Sequence, residues 1–128
     1  MSKFGLVVLG AHIGIHIKGD IQKLSPEKVL LVEPVPHNVA AIKKNLIHLD
    51  NVIIEQVAIS NKNEIKNFYF VKEKSIHKLK KHWSSGIGSF NKQHILDHKS
   101  KRFKVEEEDI EKVSINTIRF KDIVEKYQ

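Results

Sequence analysis

An α/β fold with a parallel sheet is predicted for this chain by three observations. The first is Val7-Val8-Leu9-Gly10-Ala11-His12-Ile13-Gly14, an apolar run that ends in a Gly-x-x-x-Gly turn. The second is Val29-Leu30-Leu31-Val32-Glu33-Pro34, a run tipped by a single carboxylate roughly 20 residues after that turn. The third is the alternation of such runs with segments of helical periodicity, in the order β-α-β-α-β. Short continuous apolar runs are strands covered on both faces. A glycine turn lets backbone N–H groups come close to a bound group, and an acid at the next strand tip can accept hydrogen bonds from two ribose hydroxyls. Open α/β sheets hold nucleoside-bearing cofactors in this way.

Each element has its own warrant. Phe4–Leu9 is expected as a buried strand, central in the sheet, with Lys28–Glu33 as the buried strand beside it. Between them, Ile13, Ile15, Ile17, Ile21 and Leu24 fit a loop or short helix, broken by Gly19-Asp20 and stopped near Ser25-Pro26. Pro34 and Pro36 end the second strand, and Pro36 suits a helix start, where its missing N–H costs little. Val39, Ile42, Leu46 and Leu49 recur at helical spacing, which predicts an amphipathic helix over Pro36–His48. Asp50-Asn51 is a turn, and Val52–Ile59 is a third apolar strand with Glu55 and Gln56 near its middle. After the polar turn Asn61-Lys62-Asn63, Ile65–Val71 alternates around Phe68 and Phe70 as an antiparallel strand does. The stretch from Lys72 to Lys104 is rich in Lys, His and Ser, and the acidic cluster Glu106-Glu107-Glu108-Asp109 follows it. Val113–Ile118 alternates like a strand, and Phe120, Ile123, Val124 and Tyr127 predict a closing helix. No internal repeat and no Pro/Gly/Ser linker divides the chain, so a single domain over residues 1–128 is expected.

Composition narrows the class. The chain has 128 residues, 41% of them hydrophobic and 29% charged, as a soluble globular domain has. It has no cysteine, which excludes disulfides and thiolate metal sites and fits a reducing, cytoplasmic setting. Lys and Arg number 22 against 15 Asp and Glu, a net charge of +7 that permits anionic partners without choosing among them. The apolar start from Phe4 to Ile17 has the length of a signal-peptide core. Its histidines and glycines, and the lack of a small-x-small cleavage site, argue against that role. It is also too short to span a bilayer.

Several pieces, in this order, resemble the S-adenosylmethionine-dependent methyltransferases of the FkbM type. They are Gly10-Ala11-His12-Ile13-Gly14, Val32-Glu33-Pro34-Val35-Pro36-His37-Asn38, Asn51-Val52 and Val57-Ala58-Ile59-Ser60. Trp83-Ser84-Ser85-Gly86-Ile87-Gly88-Ser89, Asn91-Lys92-Gln93-His94-Ile95 and Val113–Ile118 through Ile123-Val124 continue the likeness over nearly the whole chain. The resemblance implies a class I, Rossmann-like methyltransferase sheet with helices on both faces, and O-methylation of a small hydroxyl acceptor such as a sugar. It also implies a cofactor site. Gly10, Ala11, His12 and Gly14 would pass close to the methionine part of S-adenosylmethionine, and Glu33 would bind the ribose. Pro34 with Ala58, Ile59 and Ser60 would lie against adenine, and Asn38 would fix the Glu33 turn. Two departures stand out. Val8 occupies a position where the family usually carries an acid. The family also continues, past the point matching Gln128, into a buried strand tipped by an Asp-x-Glu-Gly-like segment. The likeness is therefore to a truncated domain without its C-terminal strands, and predicts an open sheet edge beside the first strand, with a second copy or another polypeptide completing it or marginal stability as the result, unless Val113–Ile118 folds back and closes the sheet itself.

Other residues leave alternatives open. His12 and His16 lie in or just after the glycine turn and are candidates for a general base or plain loop histidines, so no catalytic residue is assigned. His94 and His98 are four apart, but no HExxH pattern accompanies them and no metal site is expected. Trp83 with Ser84-Ser85 reads as an acceptor-side loop or a hydrophobic plug, and Phe68, Tyr69 and Phe70 as strand packing. The run Lys72, Lys74, Lys78, Lys80 and Lys81 with His77 and His82 suits phosphate-rich partners or a solvated helix face. Besides the methyltransferase, two classes remain: a catalytically incompetent fragment acting as a binding or interaction module, and a basic nucleic-acid-binding protein. The low aromatic content and the lack of an RNA-module motif argue against the last.

Overall fold

β2 (Val29–Val32) is buried at all four of its residues, and the first part of the fold is built around it. A computed structural model describes residues 5–12, 14–79, 88–97, 99–100 and 103–127. These form a mixed α/β protein of two compact units, Met1–Ile65 with Asn116–Gln128, and Lys66–Ile115.

In the first unit, β1 (Leu6–Leu9), β2 and β3 (Val52–Glu55) form a parallel sheet in the order β1-β2-β3. Leu6 to Leu9 lie in register with Val29 to Val32, and these with Val52 to Glu55. Side chains alternate across a strand, so the sheet presents two apolar faces. Val29 and Leu31 pack with Ile17 and Ile21 of α1 (Ile15–Leu24) and with Ile42 of α2 (Pro36–Asn45). Leu30 and Val32 pack with Ile123 of α5 (Phe120–Lys126). Helices therefore cover both faces of the three strands, which is what continuous apolar strands require.

Four expectations are corrected here. β1 lies at the edge of this sheet, not at its centre, and is half-buried where β2 is fully buried. An apolar run records what covers a strand's faces and says nothing of how many strands flank it. α1 runs unbroken through Gly19-Asp20. A helical glycine costs about 1 kcal/mol relative to alanine, less than burying Ile17 and Ile21 contributes. α2 ends at Asn45, short of His48, where Leu46 N–H caps the Ile42 carbonyl. The expected strand Val52–Ile59 is two strands. β3 stops at Glu55, and β4 (Ala58–Ile59) leaves the sheet to pair in parallel with the end of β9 (Ile110–Ile118), Ala58 against Thr117 and Ile59 against Ile118. Pro36 stands at the helix start as expected.

A polar clasp fixes α5. Asn63 Oδ1 accepts from Arg119 N at 2.8 Å, and Asn63 Nδ2 donates to Asp122 Oδ2 at 2.7 Å. Arg119 Nε donates to the same carboxylate at 2.8 Å, and these bonds hold the Asp122 carboxyl below its usual range. Glu55, at the end of β3, accepts from Lys126 Nζ at 2.7 Å and from the Tyr127 hydroxyl.

In the second unit, β5 (Ile65–Val71) lies between β9 and β6 (Gly88–Ser89), antiparallel to β6, so the alternating segment is the predicted strand. Val71, Ile95 of α4 (Lys92–Leu96) and Val105 form its core, with Tyr69, Ile76 and Ile110 against them. α3 (Glu73–Leu79) follows β5, and β7 (Lys99–Ser100) pairs antiparallel with β8 (Phe103–Lys104). The acidic cluster is a 3-10 turn, Glu107–Asp109, closed by a reciprocal capping box between Glu106 and Asp109. Asp109 is buried and also accepts from Ser75 Oγ at 2.9 Å.

Candidate functional site

Residues that leave β1 and β2 at their carboxyl ends converge on one carboxylate. Glu33, the first residue after β2, is only 5% exposed. Its Oε1 accepts from His12 N at 2.8 Å, across from the turn that follows β1. Its Oε2 accepts from Val35 N at 3.0 Å and from Asn38 Nδ2 at 3.4 Å. Burial pushes the Glu33 carboxyl above the ordinary carboxylate range, against the opposing pull of the Val35 and His12 N–H groups, the Asn38 amide and nearby His37. A carboxylate has about four lone-pair sites, so these bonds leave acceptor capacity for a further donor.

The backbone explains how the turn reaches the acid. Gly10 and Ala11 both donate to the Val32 carbonyl, at 2.8 and 3.1 Å, which folds the chain back over the end of β2. Gly10 and Gly14 have φ of 76° and 82°, and His12 has φ of 56°. The two glycines serve different ends. A Cβ on Gly10 would meet nothing within 4 Å, so this residue faces open space. A Cβ on Gly14 would stand 3.4 Å from Leu46 Cδ1 and 3.5 Å from Ile42 Cγ1, ordinary contact distances, so what calls for glycine there is its positive φ at the start of α1. Pro34 is half-buried and Asn38 is 1% exposed, in the first turn of α2.

No protein-family model, no curated protein and no solved structure matches this chain.

Of the predicted site residues, the structure brings Gly10, Ala11, His12, Glu33 and Asn38 into one hydrogen-bonded group, with Gly14 and Pro34 beside them in sequence. Ala58, Ile59 and Ser60 are committed to β9: the first two pair with it, and Ser60 N donates to the Ile118 carbonyl at 3.0 Å. They therefore stand in and just after a separate short strand, and not at the end of β3, which stops at Glu55. His94 is exposed on α4. Trp83, Ser84, Ser85, Lys80, Lys81, His82 and His98 lie outside the described residues, as do the side chains of His16, His77 and Lys78. Among the described residues, no group of three or more His, Asp or Glu could hold a metal ion, and no helix is long and apolar enough to cross a membrane.

Sequence reasoning missed that the donor to Glu33 Oε1 is the peptide N–H of His12. A main-chain donor leaves no trace in residue type. The flanking glycines were the available signal, since a left-handed turn is what aims that N–H at the acid. It also missed the second buried acid, Asp109, because a run of four acids reads as a solvated surface and its bond from Ser75 leaves no pattern in the sequence.

Proposed function

We propose that the chain is the cofactor-binding part of a Rossmann-like, FkbM-type methyltransferase that transfers a methyl group from S-adenosylmethionine to a hydroxyl of a small acceptor such as a sugar. One observation carries this: a buried carboxylate at the tip of β2, hydrogen-bonded to the glycine turn of the neighbouring parallel strand β1. The residues present fit a nucleoside-bearing cofactor at two points. Gly10 offers an approach that no side chain fills, and Glu33 supplies a carboxylate acceptor at the tip of β2, the group that ribose hydroxyls call for. When bound, the cofactor supplies the activated methyl group. The chain's own residues then bind and orient: Glu33 the ribose, the Gly10–His12 backbone the approach beside it, and Asn38 the carboxylate itself. Calorimetry with S-adenosylhomocysteine tests this. Glu33→Ala should weaken binding by about 2–3 kcal/mol, the scale of charge-assisted hydrogen bonds. Gly10→Val should weaken it further, because the side chain enters the approach and a β-branched residue opposes positive φ. Equal binding by all three proteins, each melting at a similar temperature, would remove the site.

A second reading, an interaction module without catalysis of its own, is favoured by the edge position of β1. Leu6-Val7-Val8-Leu9 has no charge or proline to discourage strand pairing, and Leu9 is 48% exposed.

A further inference from the structure

We infer that the Ala11–His12 peptide is a latch on Glu33, closed in the structure and opened by a ligand that brings a vicinal diol. The inference rests on Glu33 being the ribose-binding acid of the proposed function. A diol hydroxyl must reach the carboxylate, yet Glu33 is 5% exposed, so it is cover by the protein and not a shortage of lone pairs that keeps a ligand from Oε1. The donors are not equivalent. Val35 N and Asn38 Nδ2 belong to the turn and helix that follow Glu33 itself, two and five residues on in the chain. His12 N comes from the turn after another strand, 21 residues earlier in the chain.

The turn is built for a small movement. Its root is fixed: Ala11 is fully buried, and Gly10 and Ala11 both donate to Val32 O. Past that root, His12 sits at φ 56°, a left-handed conformation that costs a residue with a Cβ energy and that the bond to Glu33 offsets. Rotating the peptide out relieves this conformation and gives up one hydrogen bond, which a ligand hydroxyl on Oε1 replaces. The open space beside Gly10 lies on the same turn. Closed, the latch keeps the carboxylate covered; open, it presents the carboxylate to the diol.

Two substitutions at His12 shift the latch in opposite directions and leave Glu33 in place. Asparagine tolerates the left-handed conformation best among residues with a Cβ, so His12→Asn favours the closed form. Valine tolerates it poorly, so His12→Val favours the open form. With the full chain and S-adenosylhomocysteine as probe, affinity should rise in the order Asn, wild type, Val, by about fivefold per step. In the free protein the His12 amide should be protected from hydrogen exchange, and Glu33→Gln should speed its exchange at least about tenfold. In the wild type its proton resonance should move upfield on addition of the probe, as the carboxylate lets go. Binding of equal strength in all three proteins, with the His12 resonance unmoved, would overturn the latch and leave the ribose reading standing. No binding to any of them, the valine variant included, would overturn the ribose reading and the latch with it. If the valine variant does not fold, wild type against His12→Asn with the same amide resonance gives the decision.

Discussion

Two acids pull the low-pH stability of this protein in opposite directions, and each does so for a reason visible at its own side chain. Burial raises the Glu33 carboxyl above its ordinary 4.5, so the folded state holds that proton more tightly than the unfolded chain. Stability from this group is then fully present below 4.5 and is lost as pH rises through the raised value. Asp122 is the reverse. Its bonds from Arg119 and Asn63 lower it from 3.8, so its contribution is present above 3.8 and is lost as pH falls through the depressed value. Replacing Glu33 by glutamine should remove the downward slope above 4.5 while leaving the acid limb, which melting curves between about pH 3 and 7 would show. At neutral pH the same variant gives up one accepted hydrogen bond, because an amide cannot accept from both His12 N and Val35 N as a carboxylate does, and is relieved of the burial cost of the charge, so the two changes offset each other in part. The two glycines of the turn share one constraint. Gly14→Ala and Gly10→Ala both meet a left-handed φ, and the methyl added at 14 touches Leu46 and Ile42 only at ordinary contact distances of 3.4 and 3.5 Å. Chemical denaturation should therefore find the two variants destabilised alike, by about 1–2 kcal/mol each. A much larger loss for Gly14→Ala would mean that Leu46 and Ile42 cannot accept the added methyl.

At the level of elements, what the sequence revealed and what it hid divide along a physical line. β2, α2, β5 and α5 were legible because each buries one face or both, and burial writes a period of two or 3.6 into the residues. The meeting of the Gly10 turn with Glu33 was legible because the spacing of strand, turn, helix and strand fixes it. The break between β3 and β4 was hidden. Val52–Ile59 is apolar enough for one strand, and only long-range pairing of Ala58 and Ile59 with Thr117 and Ile118 decides otherwise. The polar ties were hidden as well, since Asn63, Thr117 and Asp109 look like surface residues until their partners, distant in sequence, are known. Asp109 offers the sharpest test. It is 2% exposed, accepts from Ser75 Oγ and Glu106 N at 2.9 Å each, and its carbonyl accepts from Lys72 N at 2.8 Å. Asp109→Ala should cost about 2–3 kcal/mol by leaving the Ser75 hydroxyl and the 3-10 turn without their acceptor. Hydrogen exchange should show the loss at Ile76, Val105 and Ile110, and unchanged protection there would show the knot to be dispensable.

The whole molecule carries a net charge of +7 and, among its described residues, an apolar strand at the edge of a parallel sheet. These two properties act against each other in solution. An uncharged edge such as Leu6-Val7-Val8-Leu9 favours pairing with another strand, since its outward N–H and C=O groups and the flanks of its side chains gain partners. The positive charge opposes the approach of a second copy, and the opposition weakens as salt shortens the screening length from about 30 Å at 0.01 M to about 8 Å at 0.15 M. Self-association through this edge should therefore rise with ionic strength, the opposite of what attraction between unlike charges would give. Light scattering across that salt range at several protein concentrations measures it, and the melting temperature should become concentration-dependent over the same range. Leu9→Lys separates the edge from other surfaces. Leu9 is 48% exposed, so a lysine there can reach water at little cost to folding while placing a charge on the pairing edge. The variant should stay monomeric at salt concentrations where the wild type associates. A wild type that is monomeric throughout, with a single concentration-independent melt, would show that β1 needs no further strand. Association that the lysine leaves untouched would place the contact elsewhere on the surface.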